Sequence, residues 1–200
     1  MARTAVAEND RPVVPWATLA LAAAAGLAFA VPRVGAACLY ERGPILQGEV
    51  WRAWTGHLAH FGPGHLGWNL AVLLPAGCWL ERLHPVRVRW LYLVCPLVIS
   101  ATLLVFDRSL DRYAGLSGLA TGTLVLLAGR QLLVGAGEPA WIWLGVFALL
   151  GVKVAWETAT GEPLLADGHS FRAVPLAHLS GAVCGLLFGA GLRREFPRRR

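Results

Sequence analysis

Two histidines, an asparagine and a serine stand out in a chain that offers few other groups for chemistry. Ser117 lies in Y-A-G-L-S-G-L-A-T-G (Tyr113–Gly122), His65 and Asn69 lie in H-F-G-P-G-H-L-G-W-N (His60–Asn69), and His178 lies in A-H-L-S-G-A-V-C-G (Ala177–Gly185). Together they hold what acyl transfer needs: a hydroxyl nucleophile, an imidazole to take its proton, and donors for the developing oxyanion. In those roles Ser117 attacks a peptide carbonyl and His178 is general base, then general acid to the leaving amine. His65, Asn69 and the Ser117 backbone N–H hold the oxyanion. No carboxylate is apparent beside His178, so the expected arrangement is a dyad with the imidazole oriented by packing. Taken singly, each residue reads more readily as the maker of one interhelical hydrogen bond, and Gly-x-Ser-Gly alone also serves helix packing.

The elements that carry these residues follow from composition. The chain has 200 residues, 56% of them hydrophobic, with nine tryptophans and a single lysine. That is unusual for a soluble domain. A bilayer core is crossed by roughly 20 mostly apolar residues, and the clearest such windows are Val13–Val31, Leu66–Leu80, Trp90–Phe106, Gly115–Val134, Ala140–Trp156 and Ala173–Leu192. The second is short unless it continues toward Leu83. Each must be helical, because an open sheet edge cannot face lipid. The expected fold is therefore all-α, a polytopic bundle of six transmembrane helices. It comprises residues 13–192, a first outer loop at about 32–64, an N-terminal tail at 1–12 and a basic tail at 193–200. The first window, preceded by Arg3 and Arg11, is also open to a secretory-signal reading. It is long for a signal core, and its removal would leave an odd number of spans.

Basic residues set the orientation. With both termini cytoplasmic, the inner segments hold eleven of the 18 Lys and Arg residues, the outer segments hold six, and Lys153 lies in the fifth window. The net charge of +6 then reads as topology plus contact with anionic lipid rather than nucleic-acid binding. In this topology the second, fourth and sixth helices all start on the outer side. His65, Asn69, Ser117 and His178 therefore share a depth near that surface, with His65 and Asn69 one turn apart on one helix face.

Gly115 and Gly118 flank Ser117, and Gly181 and Gly185 follow His178, a spacing that lets the fourth and sixth helices approach closely. Lys153 and Glu157 are four apart near the outer end of the fifth window. They can pair on one helix face, as a functional charge or as a device that fixes helix position. A metal site at His57, His60 and His65 lacks a carboxylate or cysteine ligand at familiar spacing, and no metal or cofactor is expected. Cys38, Cys78, Cys95 and Cys184 show no metal spacing either.

These segments resemble the rhomboid family of intramembrane serine proteases. V-W-R-A-W-T at Val50–Thr55 is similar to its Trp-Arg loop segment, and His60–Asn69 to its His-x4-His-x3-Asn element. Gly115–Gly118 is similar to its nucleophile motif, and Ala177–Gly185 to the Ala-His-x2-Gly-x3-Gly of its last core helix. The resemblance implies a six-helix bundle in a bacterial inner membrane, with the active site open to the outer face. Its partners would be lipid and membrane-anchored protein substrates. Many rhomboids carry an aromatic residue four positions after the serine, supporting the histidine; this chain has Thr121 there. Lys-x3-Glu at Lys153–Glu157, with T-G-H-L-A-H-F at Thr55–Phe61, resembles the rhombosortase branch. That branch processes surface proteins ending in a Gly-Gly motif, a transmembrane helix and a basic tail. A general rhomboid with other substrates, or an inactive rhomboid-fold protein that binds membrane helices, are the alternatives.

Overall fold

Prolines mark where several helices begin. Pro32, Pro63, Pro85 and Pro175 each occupy the first turn of a helix, where a missing N–H costs nothing and the fixed φ suits the helix. The computed structural model describes residues 13–135, 137–164 and 172–191, so the terminal tails expected at 1–12 and 193–200 lie outside the described residues. The order is α1 (Trp16–Ala30), α2 (Pro32–Cys38), β1 (Tyr40–Glu41), α3 (Arg42–Leu46), α4 (Arg52–Thr55), α5 (Pro63–Leu83) and α6 (Pro85–Phe106). Then follow β2 (Arg112–Tyr113), α7 (Ser117–Val134), α8 (Ala140–Thr160) and α9 (Pro175–Ala190).

The six longer helices coincide with the six apolar windows. Among them α6, α7 and α8 are each long and apolar enough to cross a membrane, and α1 with α2, bent by 114°, makes a fourth candidate. α9 is apolar but has 16 residues. α5 does have the length, and the continuation to Leu83 is real, but His65, Asn69, Glu81 and Arg82 interrupt its apolar character. Large side chains such as Phe106, Trp141, Leu149 and Leu187 are 67–76% exposed, an outer surface suited to lipid and not to water.

α7 is the hub. It packs on α5, α6, α8 and α9 and is buried on nearly every face, from Gly118 to Gln131. At one end of the bundle Glu81, fully buried near the end of α5, caps α1. Its carboxylate accepts the N–H groups of Ala17 (2.9 Å) and Thr18 (2.8 Å) and the Thr18 hydroxyl (2.8 Å). A buried charge is thereby placed on helix-terminal donors that would otherwise be orphaned.

The loop between α1 and α5 is bound, not draped. Tyr40 pairs with Tyr113 and Glu41 with Arg112 in a two-residue antiparallel ladder. Arg52 donates to the carbonyls of Ala36 (2.9 Å) and Leu39 (2.8 Å) and pairs with Glu49 at 2.5 Å. Pro96 inside α6 has no N–H, so the Tyr92 carbonyl loses its helical partner; the Trp54 indole donates to it at 3.2 Å. His57 stands beside this place, with Nε2 at 3.0 Å from Pro96 O and 3.2 Å from the Ser100 hydroxyl.

Candidate active site

Ser117 is the first residue of α7, reached through a turn that only glycine suits. Gly115 has φ +117°, in the region L side chains rarely adopt, and a Cβ there would lie 2.5 Å from His65 Nε2 and 3.3 Å from Asn69 Nδ2. The backbone approach that brings the serine to His65 and Asn69 thus requires glycine for two reasons. Tyr113 holds the turn: its buried hydroxyl donates to Gly115 O at 3.0 Å. Burial pushes this phenol up, against hydrogen bonds with the Ser117 side chain and the Gly118 backbone. The Tyr113 hydroxyl is therefore part of the serine's surroundings, a contact that sequence spacing did not reveal.

His178 lies in the first turn of α9, which meets α7 backbone to backbone. A Cβ at Gly118 would stand 2.7 Å from Ala177 O, and one at Gly122 would stand 2.6 Å from Gly181 O. Gly181 and Gly185 close against Gly118 O and Gly122 O in return. The close approach expected from Gly118, Gly181 and Gly185 is present, with Gly122 as a fourth member; Gly115 belongs to the turn instead. The contact begins next to both Ser117 and His178.

Ser117, His178, His65 and Asn69 all line one cavity of about 570 Å³, whose wall is largely apolar. The four residues expected at one depth line one wall. Asn69 Nδ2 is buried without a hydrogen-bond partner, a donor with capacity to spare. The opening N–H groups of α7 have no preceding helical carbonyls to serve, and their dipoles favour negative charge at this place.

The histidines of the first loop, His57 and His60, have structural employment. His60 Nδ1 lies 3.0 Å from Leu58 O, and its Nε2 takes the Leu116 N–H at 3.4 Å. Burial lowers both His57 and His60 to about 4, so each is neutral at ordinary pH. That agrees with an Nε2 on His60 that accepts. His60 packs edge-on against the His65 ring at 5.0 Å, and Phe61 stacks on that ring at 6.3 Å.

The expectation that no carboxylate stands beside His178 does not hold. Glu157 Oε2 is 2.7 Å from His178 Nδ1, with both side chains almost fully buried. The approach is off the hydrogen-bond direction in this state, so the contact is electrostatic, and neither atom has another partner. The other oxygen of Glu157 pairs with Lys153, as the spacing predicts. The pair was legible in sequence; its reach across to α9 was not, because nothing local links positions 157 and 178. Thr121, in the place of an aromatic residue, donates to Ser117 O at 2.8 Å and lines the same cavity.

Residues 47–195 match the family model described as the Rhomboid domain. The chain is also similar to "Rhomboid-related protein 1" of Caenorhabditis elegans, at 30% identity over 156 residues. That alignment covers 73% of this chain and 41% of the relative, so the chain spans about two fifths of the length of that curated protein.

Proposed function

The chain belongs to the rhomboid family, a multi-pass integral membrane protein, and on that premise we propose that it is an intramembrane serine endopeptidase. The observation that carries this reading is the single cavity lined by Ser117, His178, His65 and Asn69, with the serine and histidine on two helices in glycine-mediated backbone contact. The Ser117 hydroxyl adds to the scissile carbonyl while His178 Nε2 takes its proton. Asn69, His65 and the Ser117 backbone N–H receive the oxyanion. His178 returns the proton to the amine as the C–N bond breaks, and a second nucleophile, water in the simplest case, then opens the acyl-enzyme. The apolar wall suits a membrane-derived segment. Such a segment must unwind to expose its peptide bond, which small residues such as glycine ease.

All six longer helices cross the membrane in this reading, with both termini cytoplasmic and the cavity toward the outer face of a bacterial inner membrane. Lys153–Glu157 and Thr55–Phe61 support the rhombosortase-like branch. The substrate would then be a surface protein ending in Gly-Gly, a transmembrane helix and a basic tail. Co-expression with such a protein, read by product mass, tests both levels. Cleavage is expected, and Ser117→Ala or His178→Ala should lower it by about 10⁶-fold, to background. Cleavage that survives Ser117→Ala sinks the mechanism. Cleavage confined to membrane helices without the Gly-Gly signal favours a general rhomboid protease, and no cleavage of any membrane helix favours a protein that only binds them.

A further inference from the structure

Pairing with Lys153 accounts for only half of the Glu157 carboxylate. Oε1 takes the Lys153 ammonium and the Leu164 N–H at 3.4 Å, whereas Oε2 faces only His178 Nδ1 at 2.7 Å. A pair that merely set helix depth would keep its acid in water; this one is 1% exposed while Lys153 is 20% exposed. Glu157 is one of only two residues that α8 buries, the other being Trp143. It is also the one carboxylate among the described residues lining the cavity. The other polar groups lining the cavity, among them His65, Asn69, Ser117, Thr121, Lys153 and Arg172, include no anion that could accept the Nδ1–H hydrogen bond and hold an imidazolium.

We propose that Glu157 is a positioning residue for His178, completing a Ser117–His178–Glu157 triad in which Lys153 selects the carboxylate oxygen that meets the imidazole. The inference rests on the serine-protease reading above. With Nδ1–H turned to Oε2, the Nε2 lone pair is free to take the Ser117 proton. When that proton arrives, the imidazolium is held by the adjacent carboxylate until the leaving amine removes the proton; Glu157 itself stays ionised throughout. Lys153 offsets the carboxylate charge, which lowers the cost of burying it in the resting protein.

Glu157→Gln tests this with an unusual sign. The Lys153 ammonium needs an acceptor and claims the amide oxygen, which leaves the amide NH2 facing Nδ1. Nδ1 must then accept, the ring proton moves to Nε2, and the base is in the wrong tautomer. The probe is a fluorophosphonate applied to the full-length protein in detergent: Ser117 Oγ bonds to phosphorus, fluoride leaves, and His178 takes the hydroxyl proton. Labelling by Glu157→Gln should fall at least about tenfold, toward the roughly 10⁴-fold that such a tautomer change costs elsewhere.

Adding Lys153→Met frees the amide to turn its oxygen to Nδ1–H, so the double variant should label about threefold or more faster than Glu157→Gln alone. A structural ion pair predicts no such recovery. Wild-type labelling by Glu157→Gln, or a deeper loss in the double variant, overturns the proposal. A wild-type protein that does not label at Ser117 overturns the protease reading itself, a separate outcome. Should thermal melting show that Glu157→Gln has not folded, Glu157→Asp takes its place. A fall of about tenfold in kcat with KM unchanged then supports the role, and unchanged kcat overturns it.

Discussion

α7 and α8 are neighbours of similar length with opposite ways of being held. α7 is enclosed by four helices, and against α9 its backbone is in direct contact through Gly118, Gly122, Gly181 and Gly185. α8 leans on α7 and α9 and buries only Trp143 and Glu157; a Cβ added at its Gly145 or Gly151 would meet nothing within 4 Å. The candidate nucleophile and base thus stand on the most closely packed helix pair among the described residues. The cavity wall formed by α8 stands on a helix that buries only two side chains. Of the proposed machinery, the nucleophile and base share the closely packed pair, and α8 carries Glu157, one of the two side chains by which it is buried.

The sharpest way to break this contrast is Gly181→Val, which drives a branched side chain into the Gly118 carbonyl. We expect cleavage to be lost and stability to fall by about 3 kcal/mol, read by melting in detergent. Retained activity would show that the α7–α9 contact does not set the site. Next in size is Asn69→Ala, where removal of one oxyanion donor should lower turnover by about 10²–10³ with melting nearly unchanged. An unaltered rate removes Asn69 from the site.

A smaller effect comes from acid. His57 and His60 are held near 4 when folded and titrate near 6.5 when unfolded, so the unfolded chain binds more protons between those values. Stability is then fully present above about pH 6.5 and is lost progressively as pH drops toward 4. Limited proteolysis of residues 42–62 across this range should show the loop opening, and cleavage insensitive to pH would contradict it. Smallest of all is Gly151→Ala on α8. We expect activity within about twofold and stability raised by up to about 1 kcal/mol, since a better helix former meets no neighbour. A marked loss would show α8 to be held more tightly than its packing implies.

The helices were legible because lipid imposes a strong rule on composition, and the six windows fell on the six longer helices. Their ends were less so: Arg87 and Arg89 hid the first turns of α6, which start at Pro85. The β1–β2 ladder and the short helices α3 and α4 were invisible, being too brief to carry a periodic pattern. At the site, His65, Asn69, Ser117 and His178 could be brought together by topology alone, since shared depth needs only span direction. Glu157 could not, because its i, i+4 neighbour already satisfied the obvious reading and the contact with His178 depends on how α8 rotates about its axis. Tyr113 was missed for a related reason, as a tyrosine at a helix mouth looks like an interface anchor until its hydroxyl is seen on Gly115 O.

The cap that Glu81 places on α1 bears on how the chain is made. Thr18 waits for an acceptor 63 residues further along, and translation must deliver α5 in full before that acceptor exists. Until then α1 has bare amides at its start and cannot drift off into lipid at no cost. Biogenesis would favour keeping α1 beside the insertion machinery until α5 returns to the same side. Order of synthesis would then become order of assembly, with the two helices latched before the ones bearing Ser117 and His178 have been made.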